Sequence, residues 1–473
     1  MAHKKRRKAP PDENGKPTTA DIYAACVEIR NPNGKQPSKF SHVDITPYSD
    51  IRIESNVPSS EHKPRWTKET KPKGFEYLKQ LFEDRGEGVR EEKVKRSFWV
   101  APMVDASDHA FRILCKRYGA DGSYTPMIHS KIFMESATFR KEYFSTHATE
   151  ECRPLLAQFC ANDPTTLLKA ARVIQPFCDG VDINFGCPQR IAKRGNYGAF
   201  LMDDWPLVEK LIKELDENLD VPVTAKIRVY DDLEKSVEYA KMVEKAGAQI
   251  IAVHGRTREQ KRLAEYKCNW DFIKAIKEAV SVPVLANGGV RNYQELQECL
   301  EYTGVDGYLS AEPLLGNPTL FSNPPFAPNP SEGQPPYPLE NDHSFQVFLE
   351  YIDICRKHPT APKIVFGHLH GIVGHWMHEF HDLRDDLNEN RRKYADLDAL
   401  AEWVERLRAR AKEIREKEGR NYPIRKMSQK QVDRQKKREI AEAIATQEEE
   451  EKMLKDIDEK DKEREKDLKL AAE

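Results

Sequence analysis

The sequence predicts an α/β fold, namely a closed (β/α)8 TIM barrel that is followed by a small helical domain and flanked by charged, flexible extensions. Between Ser97 and Phe321, eight short apolar segments alternate with amphipathic helical segments. Strands that alternate with helices form a parallel sheet, because each crossover needs a helix to return the chain. Eight such units favour a closed barrel over an open sheet, and the first strand lacks the Gly-x-Gly-x-x-Gly pattern of a Rossmann domain.

The predicted strands are short apolar runs bounded by turn residues. They lie at Phe98–Met103, Gly122–Thr125, Leu155–Phe159, Val181–Phe185, Val223–Ile227, Ile250–His254, Val284–Asn287 and Gly307–Ser310. Helical periodicity between them predicts helices at His109–Tyr118, Pro164–Gln175, Trp205–Leu215, Leu233–Ala246, Trp270–Val280 and Tyr293–Tyr302.

Composition divides the rest of the chain. Residues 1–96 are predicted to form a basic, partly disordered extension, and its opening cluster His3–Lys8 fits a nuclear address, a nucleic-acid contact or a solvated tail. The barrel is expected at 97–323, a Pro-rich linker at 324–342 and a helical domain at 343–415. Residues 416–473 are mostly charged, which predicts an exposed helix or a disordered tail.

The whole-chain composition indicates a soluble protein with solvated extensions. The chain has 473 residues, of which 39% are hydrophobic and 33% charged, and its mean hydropathy is −0.74. No apolar stretch approaches the ~18 residues that span a bilayer, and the N-terminus is basic rather than hydrophobic, so we expect no membrane partner and a cytoplasmic or nuclear location. Nine cysteines without a Cys-x-x-Cys pair favour reduced thiols and no metal site.

One cysteine stands apart from the others. Cys187 lies between Gly186 and Pro188, where the strand that ends near Phe185 gives way to a basic, glycine-containing loop and then a helix. The carboxyl ends of strands are where α/β proteins carry their chemistry, whereas buried structural cysteines usually lie inside strands or helices. The position therefore predicts a functional thiol.

Polar residues also mark the ends of the other strands. In a barrel these ends meet at one mouth, so their side chains should converge there, although any one of them alone would be ordinary structure. They are Gln158, Asn184, Lys226, Arg228, His254, Arg256 and Asn287. The loops Asn287–Gly289 and Ser310–Glu312 are small enough to bring backbone N–H groups close to an anion, which predicts a phosphorylated cofactor or substrate.

These residues belong to motifs that resemble the tRNA-dihydrouridine synthases. The matching motifs are Ala101–Met103, Phe111–Arg112, Tyr118–Ala120, Asp182-Ile-Asn-x-Gly-Cys-Pro188, Gly198–Ala199, Pro222–Lys226, His254-Gly-Arg-Thr-Arg258, Asn287–Gly288 and Asn317–Pro318. Tyr124–Met127, Phe185–Ala192 and Ser310–Glu312 resemble the eukaryotic branch that acts at positions 16 and 17 of the D-loop.

The resemblance implies an oxidoreductase that reduces uridine in tRNA to 5,6-dihydrouridine with FMN and a nicotinamide donor, NADPH or NADH. Carried over by motif, FMN would be held by Pro102, Met103, Val104, Gln158, Lys226, His254, Asn287, Gly288, Gly289, Ala311 and Glu312. Cys187 would donate the proton that completes the reduction, since a thiol with a pKa of ~8.5 is mostly protonated at neutral pH.

The substrate of such an enzyme is a nucleotide that must be extruded from folded tRNA. The expected substrate contacts are Asn184, Arg190, Lys193, Arg194, Arg228, Arg256 and Arg258, of which the basic loop 189–194 beside the thiol would hold the backbone. The family places a helical RNA-binding domain after the barrel. No pattern indicates an oligomer, and we expect a monomer.

Two departures and two alternative functions accompany this prediction. The long N-terminal extension has no motif, and the segment 261–270 lacks the Lys-Gly element that the family usually has, which bears on RNA-position specificity. His368, His375, His378 and His381 lie at near-helical spacing, for which we favour packing or phosphate contact over a metal. The alternatives are a flavin barrel of the dihydroorotate-dehydrogenase kind, acting on a free small molecule, and a non-catalytic RNA-binding barrel.

Overall fold

The computed structural model describes residues 63–83, 96–144, 153–260, 267–322, 342–420 and 423. The basic cluster His3–Lys8, most of the Pro-rich linker and the acidic end of the chain lie outside these ranges, as does most of the departure at 261–269.

Nine strand segments close into a ring of parallel strands. They are β1 Ser97–Val100, β2 Gly122–Tyr124, β3 Ile128–His129, β4 Leu155–Cys160, β5 Gly180–Asn184, β6 Val223–Arg228, β7 Ile251–His254, β8 Val284–Asn287 and β9 Gly307–Ser310. The order is β2-β1-β9-β8-β7-β6-β5-β4, and a β2–β4 pairing closes the ring. β2 pairs with the start of β4, and the two-residue β3 pairs with the end of β4. β2 and β3 therefore share one of the eight barrel positions. The predicted (β/α)8 barrel is confirmed.

The predicted and observed strands differ most in two places, and the other boundaries agree to within one residue. β3 was not predicted, because two residues give no periodicity. β1 ends at Val100 rather than at Met103. Pro102 has no backbone N–H to continue the ladder, and the chain turns there, with Ser107 N–H donating to Met103 O at 3.1 Å.

Helices cover the barrel and continue beyond it. They are α1 Gly74–Glu83, α2 His109–Arg117, α3 Ser130–Glu135, α4 Ala137–Tyr143, α5 Pro164–Ile174, α6 Arg190–Gly195, α7 Trp205–Asn218, α8 Leu233–Lys245, α9 Trp270–Ala279, α10 Tyr293–Thr303, α11 Glu312–Gly316, α12 His343–Lys357, α13 Pro362–Ile372, α14 His381–Glu389 and α15 Leu397–Glu418. Side-chain caps define the first residue of many of them: Asp108, Asp163 and Asp204 each accept a backbone N–H at the start of α2, α5 and α7.

Helix α1 closes the end of the barrel opposite the mouth. Tyr77 and Leu81 lie in one buried cluster with Trp99 and Leu285 from the barrel interior. The Tyr77 hydroxyl donates to Asp179 O at 2.9 Å, immediately before β5 begins, which locates α1 at the amino ends of the strands. Part of the predicted N-terminal extension is thus integral to the barrel core.

The described residues form two compact units, which divide between residues 373 and 374. The first contains the barrel together with α12 and α13, which lie within the predicted helical domain. The second contains α14 and α15, whose core includes Trp376, Leu387 and Trp403. Among the helices that the structure describes, none is long and apolar enough to cross a membrane.

Candidate active site

The strand register brings Lys226 and Asn287 together at the barrel mouth. Lys226 Nζ donates to Asn287 Oδ1 at 2.7 Å, and Asn287 Nδ2 donates to Leu309 O at 2.6 Å. β7 lies between β6 and β8, and its residue paired with Lys226 is the small Ala252, which leaves room for this contact. The lysine is therefore held in one orientation by its neighbours.

A chain of buried hydrogen bonds runs from β6 to the thiol loop. Thr224 Oγ1 donates to Asp182 Oδ1 at 2.6 Å, and Gln158 Nε2 donates to Asp182 Oδ2 at 2.8 Å. Asn184 Nδ2 donates to Gln158 Oε1 at 2.8 Å, and Asn184 Oδ1 accepts the backbone N–H groups of Gly186 and Cys187 at 3.0 and 2.9 Å.

The two ends of this series of hydrogen bonds determine how the Gln158 and Asn184 amides are oriented. An ionised Asp182 only accepts hydrogen bonds, so it fixes which side of Gln158 carries the NH2 group. At the other end two backbone N–H groups require an acceptor, which fixes the oxygen of Asn184. The interior of the barrel therefore determines the conformation of the Cys187 loop.

Cys187 lies half-buried, three residues after β5 ends at Asn184. Burial raises the pKa of its thiol, while the nearby Arg228 and Lys226 cations oppose that rise. Arg228 Nε also donates to Gly186 O at 2.7 Å and braces the loop from the opposite side to Asn184. Burial thus favours the protonated thiol, and hydrogen bonds from both sides hold its loop.

Burial shifts the charges around the thiol toward neutrality. It lowers the pKa of Lys226 to about 8, with a further contribution from Arg228. It raises the pKa of Asp182 to about 6, although the hydrogen bonds from Thr224 and Gln158 oppose the rise. Both groups can change protonation within the physiological range, which is common at functional sites.

The loop after β8 packs closely against His254 and Cys268. Gly288 and Gly289 have φ of +92° and +89°, in the left-handed region that favours glycine. A Cβ on Gly288 would lie 2.6 Å from the His254 ring, and one on Gly289 would lie 2.6 Å from Cys268 Cβ. His254 Nε2 is buried and has no hydrogen-bond partner among the described residues.

Two further loops at the mouth are neighbours because β1 pairs with β9, Val100 opposite Ser310. The first contains Pro102 and Met103, which are partly buried, and Val104, which is exposed. The second contains Ala311 and Glu312, where α11 begins. The structure thus brings all the predicted cofactor-binding segments to one end of the barrel.

Comparison with known proteins agrees with this arrangement. The dihydrouridine synthase (Dus) family model matches residues 99–406. A tRNA-dihydrouridine(16/17) synthase-like protein of Rattus norvegicus is 43% identical over 322 residues, 68% of this chain and 69% of its own length. The tRNA-dihydrouridine(16/17) synthase of Schizosaccharomyces pombe is 42% identical over 326 residues, covering 67% and 79% of the two chains. That of Saccharomyces cerevisiae is 40% identical over 309 residues, covering 65% and 70%.

This chain belongs to the dihydrouridine synthase family. It is an oxidoreductase, and the resemblance drawn from its motifs is confirmed. The family match extends from β1 into α15 and so includes both the barrel and most of the helical region that follows.

Within this dihydrouridine synthase barrel, the arginines predicted to contact substrate have different surroundings. Arg228 is committed to the protein, because its Nη1 donates to Thr257 O and Gln260 O at 2.6 and 3.0 Å. Arg258 pairs with Asp203 at 2.5 Å. Arg256 is only 5% exposed, and its Nε has no partner in the described part of the chain. Of the three, Arg256 is the cation best placed to receive a ligand.

The basic segment after the thiol was predicted as a loop, but it forms the short helix α6. Arg190, Lys193 and Arg194 are exposed on it. Asn196, in the left-handed region at φ +52°, ends the helix and returns the chain to the barrel. The three cations therefore lie on a defined surface beside Cys187.

Two aromatic side chains near the thiol were not singled out from the sequence. Tyr197 lies in one buried cluster with Cys160, with Cys187 packed against it, and its ring meets that of His129 edge-on at 5.3 Å. Tyr197 directly precedes the motif Gly198–Ala199, which was a usable signal. His129 lies on β3, the strand that the sequence did not reveal.

The histidines of the helical region serve packing where their contacts are clear. The His368 ring stacks on Phe111 at 4.1 Å, and its Nε2 lies 2.8 Å from Asp108 Oδ1. Burial lowers the pKa of His375 to about 4. Among the residues that the structure describes, no group of three or more acidic, His or Cys side chains could hold a metal ion.

Proposed function

We propose that this protein reduces uridine to 5,6-dihydrouridine in the D-loop of tRNA, at positions 16 and 17, with FMN as cofactor and NADPH or NADH as electron donor. The observation that carries the proposal is a half-buried thiol, Cys187, whose loop is held by Asn184 and Arg228 at the barrel mouth that also contains Lys226 and His254. The similar proteins of rat and both yeasts are named for this reaction, these positions and NAD(P)(+).

The residues at the mouth fit FMN. His254 offers a buried ring nitrogen that lacks a partner among the described residues, and Gly288 and Gly289 hold their loop against His254 and Cys268, where a Cβ would not fit. Backbone N–H groups of such a loop suit a phosphate. The predicted holding set is Pro102, Met103, Val104, Gln158, Lys226, His254, Asn287, Gly288, Gly289, Ala311 and Glu312. Gln158 contributes indirectly, since its amide is engaged by Asp182 and Asn184.

When bound, FMN would supply the hydride for one carbon of the uracil C5–C6 bond, and Cys187 would supply the proton for the other. The Sγ–H bond breaks as a C–H bond forms, and water returns a proton to the thiolate. Burial keeps the thiol protonated beforehand, and the Lys226 and Arg228 cations stabilise the thiolate afterwards. The loop held by Asn184 fixes the position of the sulfur.

The tRNA contacts divide between the mouth and α6. Arg256 is a buried cation whose Nε is unpartnered within the described chain, suited to a uracil carbonyl or a phosphate of the extruded nucleotide. The exposed Arg190, Lys193 and Arg194 suit the phosphate backbone beside it. Asn184 offers one amide hydrogen, because its other amide hydrogen is donated to Gln158 Oε1 and its oxygen accepts from the loop.

The test is mass spectrometry of nucleosides from unmodified tRNA incubated with the protein, FMN and either NADPH or NADH. We expect dihydrouridine with the native protein and with the control Cys160→Ala, which removes the buried thiol next to Cys187. Cys187→Ala should strongly reduce it. FMN binding and NADPH oxidation without dihydrouridine would indicate a small-molecule reductase, and a protein that binds no FMN would indicate a non-catalytic barrel.

The role of α6 has its own test. Lys193→Ala and Arg194→Ala should raise the Kd for tRNA and lower its salt dependence, by roughly 0.7–0.9 in the log–log slope for each phosphate that the variant no longer neutralises. FMN affinity should not change. Lys210→Ala, an exposed lysine on α7, is the matched control. Equal effects from Lys210 would mean that the α6 cations act only through overall charge.

A further inference from the structure

Helix α13 reaches both of the adjoining loops that follow β1 and β9. Lys363, in its first turn, forms an ion pair with Asp105 of the β1 loop. Near its other end, Gly371 packs so closely on α11 that a Cβ there would lie 2.3 Å from Leu315 O. These are the two loops that, in the proposed function, contain Pro102–Val104 and Ala311–Glu312.

Asp105 has a backbone conformation that needs support. Its φ is +57°, in the left-handed region that residues other than glycine rarely adopt. Such a conformation persists when the surroundings hold it, and it concentrates at ligand-binding sites. Within the loop, Met103 N–H donates to Ser107 Oγ at 3.0 Å. Lys363, which lies outside the loop, forms an ion pair with the Asp105 carboxylate and supports this conformation.

The end of the same loop is held by buried groups. Asp108 caps α2 by accepting Phe111 N–H at 3.1 Å, accepts the Tyr351 hydroxyl of α12 at 3.3 Å, and lies 2.8 Å from His368 Nε2 of α13. Asp108 and His368 are 9% and 2% exposed. Helices α12 and α13 thus determine where α2 begins and where the β1 loop ends.

We propose that α13 is a positioning element for the cofactor site: Lys363 and His368 hold residues 102–108 in the conformation that binds FMN, although neither side chain belongs to the predicted cofactor-binding set. This inference rests on the proposed function, because it assumes that FMN binds at these loops. It makes flavin affinity depend on the helical region that follows the barrel.

The first experiment measures the Kd of FMN for the apoprotein by fluorescence titration, without tRNA. Lys363 is 68% exposed, so Lys363→Ala should leave the fold intact. We expect the Kd to rise by about threefold to fivefold, the range of an exposed ion pair that fixes a strained loop. The control Lys357→Ala, exposed at the end of α12, should leave the Kd unchanged.

A double-mutant cycle separates positioning from direct contact. Asp105→Asn keeps a residue that tolerates the left-handed region but removes the charge. If Lys363 acts through Asp105, Lys363→Ala should have no further effect in the Asp105→Asn background. If Lys363→Ala instead raises KM for tRNA while the Kd of FMN is unchanged, Lys363 is a tRNA contact and the inference is overturned.

Variants of His368 provide an independent test of the inference. His368→Phe keeps the stacking on Phe111 but leaves Asp108 without one of its buried partners, and we expect about a tenfold rise in the Kd of FMN. His368→Gln, which can still donate to Asp108, should restore most of the affinity. A fall in Tm with unchanged FMN affinity would show a purely structural role. If the native protein binds no FMN, the proposed function fails and this inference falls with it.

Discussion

Replacing Asn184 tests whether the barrel interior controls the thiol loop. Asn184→Ala removes the acceptor for the Gly186 and Cys187 N–H groups and the donor to Gln158 Oε1. A buried polar group that loses its partner costs about 1–3 kcal/mol. Three groups are affected, but Cys187 N is only partly buried and water can reach it, so we expect a loss of about 3–5 kcal/mol in the free energy of unfolding.

Asn184→Asp is the informative companion variant. It retains an acceptor for both loop N–H groups, so the loop should keep its conformation. Its second oxygen faces Gln158 Oε1, and turning the Gln158 amide would bring the same oxygen against Asp182. One of the two carboxyls must therefore hold a proton, which raises the folded-state pKa of the pair above the unfolded values of ~3.9.

The sign of the pH dependence follows from that rise. A carboxyl whose pKa is higher in the folded state contributes stability when protonated and loses it as the pH rises. Asn184→Asp should therefore be destabilised relative to the native protein at pH 7, and the difference should shrink as the pH falls from about 7 to about 4. Asn184→Ala introduces no carboxyl, and its deficit should show no such recovery.

Urea unfolding across this pH range, with FMN absent, measures these differences. The rate at which a thiol reagent modifies Cys187 in the folded state reports the loop, and it should increase in Asn184→Ala but not in Asn184→Asp. If Asn184→Ala instead lowers activity while stability and thiol reactivity match the native protein, Asn184 serves substrate alone and the hydrogen-bond argument is wrong.

Three further predictions follow from the site and from α1. Activity should fall above about pH 8 as Lys226 loses its proton, and Lys226→Arg should move this alkaline fall in activity to higher pH. A pH–activity profile that is flat to pH 9.5 would contradict a role for protonated Lys226. Gly288→Ala should weaken FMN binding at least tenfold in the fluorescence titration, because Gly288 has φ +92° and a Cβ there would lie 2.6 Å from the His254 ring. The control Gly304→Ala, at φ +66° with open space around it, tests backbone strain alone. Tyr77→Phe should lower the free energy of unfolding by about 1 kcal/mol, measured in urea, and leave the reaction rate unchanged, since its hydroxyl contacts only the end of the barrel opposite the mouth.

The sequence was sufficient for the barrel because strand ends and helix starts have local signals. Alternating apolar runs gave the strands, and Asp108, Asp163 and Asp204 begin helices by a mechanism that acts within one turn. The polar residues at the strand ends could be expected to converge, since parallel strands share one carboxyl edge. That expectation required no knowledge of which side chain contacts which.

The partners of those polar residues could not be read from the sequence. Arg228 and Arg256 are both arginines near the ends of neighbouring strands, yet one donates to three backbone carbonyl groups and the other has an Nε without a partner in the described chain. The difference depends on where Gly186, Thr257 and Gln260 place their carbonyl groups. Helix α1 was missed for a related reason: its buried face is complementary to the closed barrel, which exists only once all strands are in place.

The charges at the mouth explain why these partners matter for function. Lys226, Arg228 and Arg256 gather there with the His254 ring, and the pKa of Lys226 and of His254 is lowered by burial and by neighbouring cations. A folded protein keeps such a cluster of like charges only at a cost in stability. An anionic ligand that binds among them relieves the repulsion and stabilises the fold by mass action. The same arrangement that destabilises the mouth by itself thus favours an anionic ligand, and in the proposed function that ligand is the phosphate of FMN or of a tRNA nucleotide.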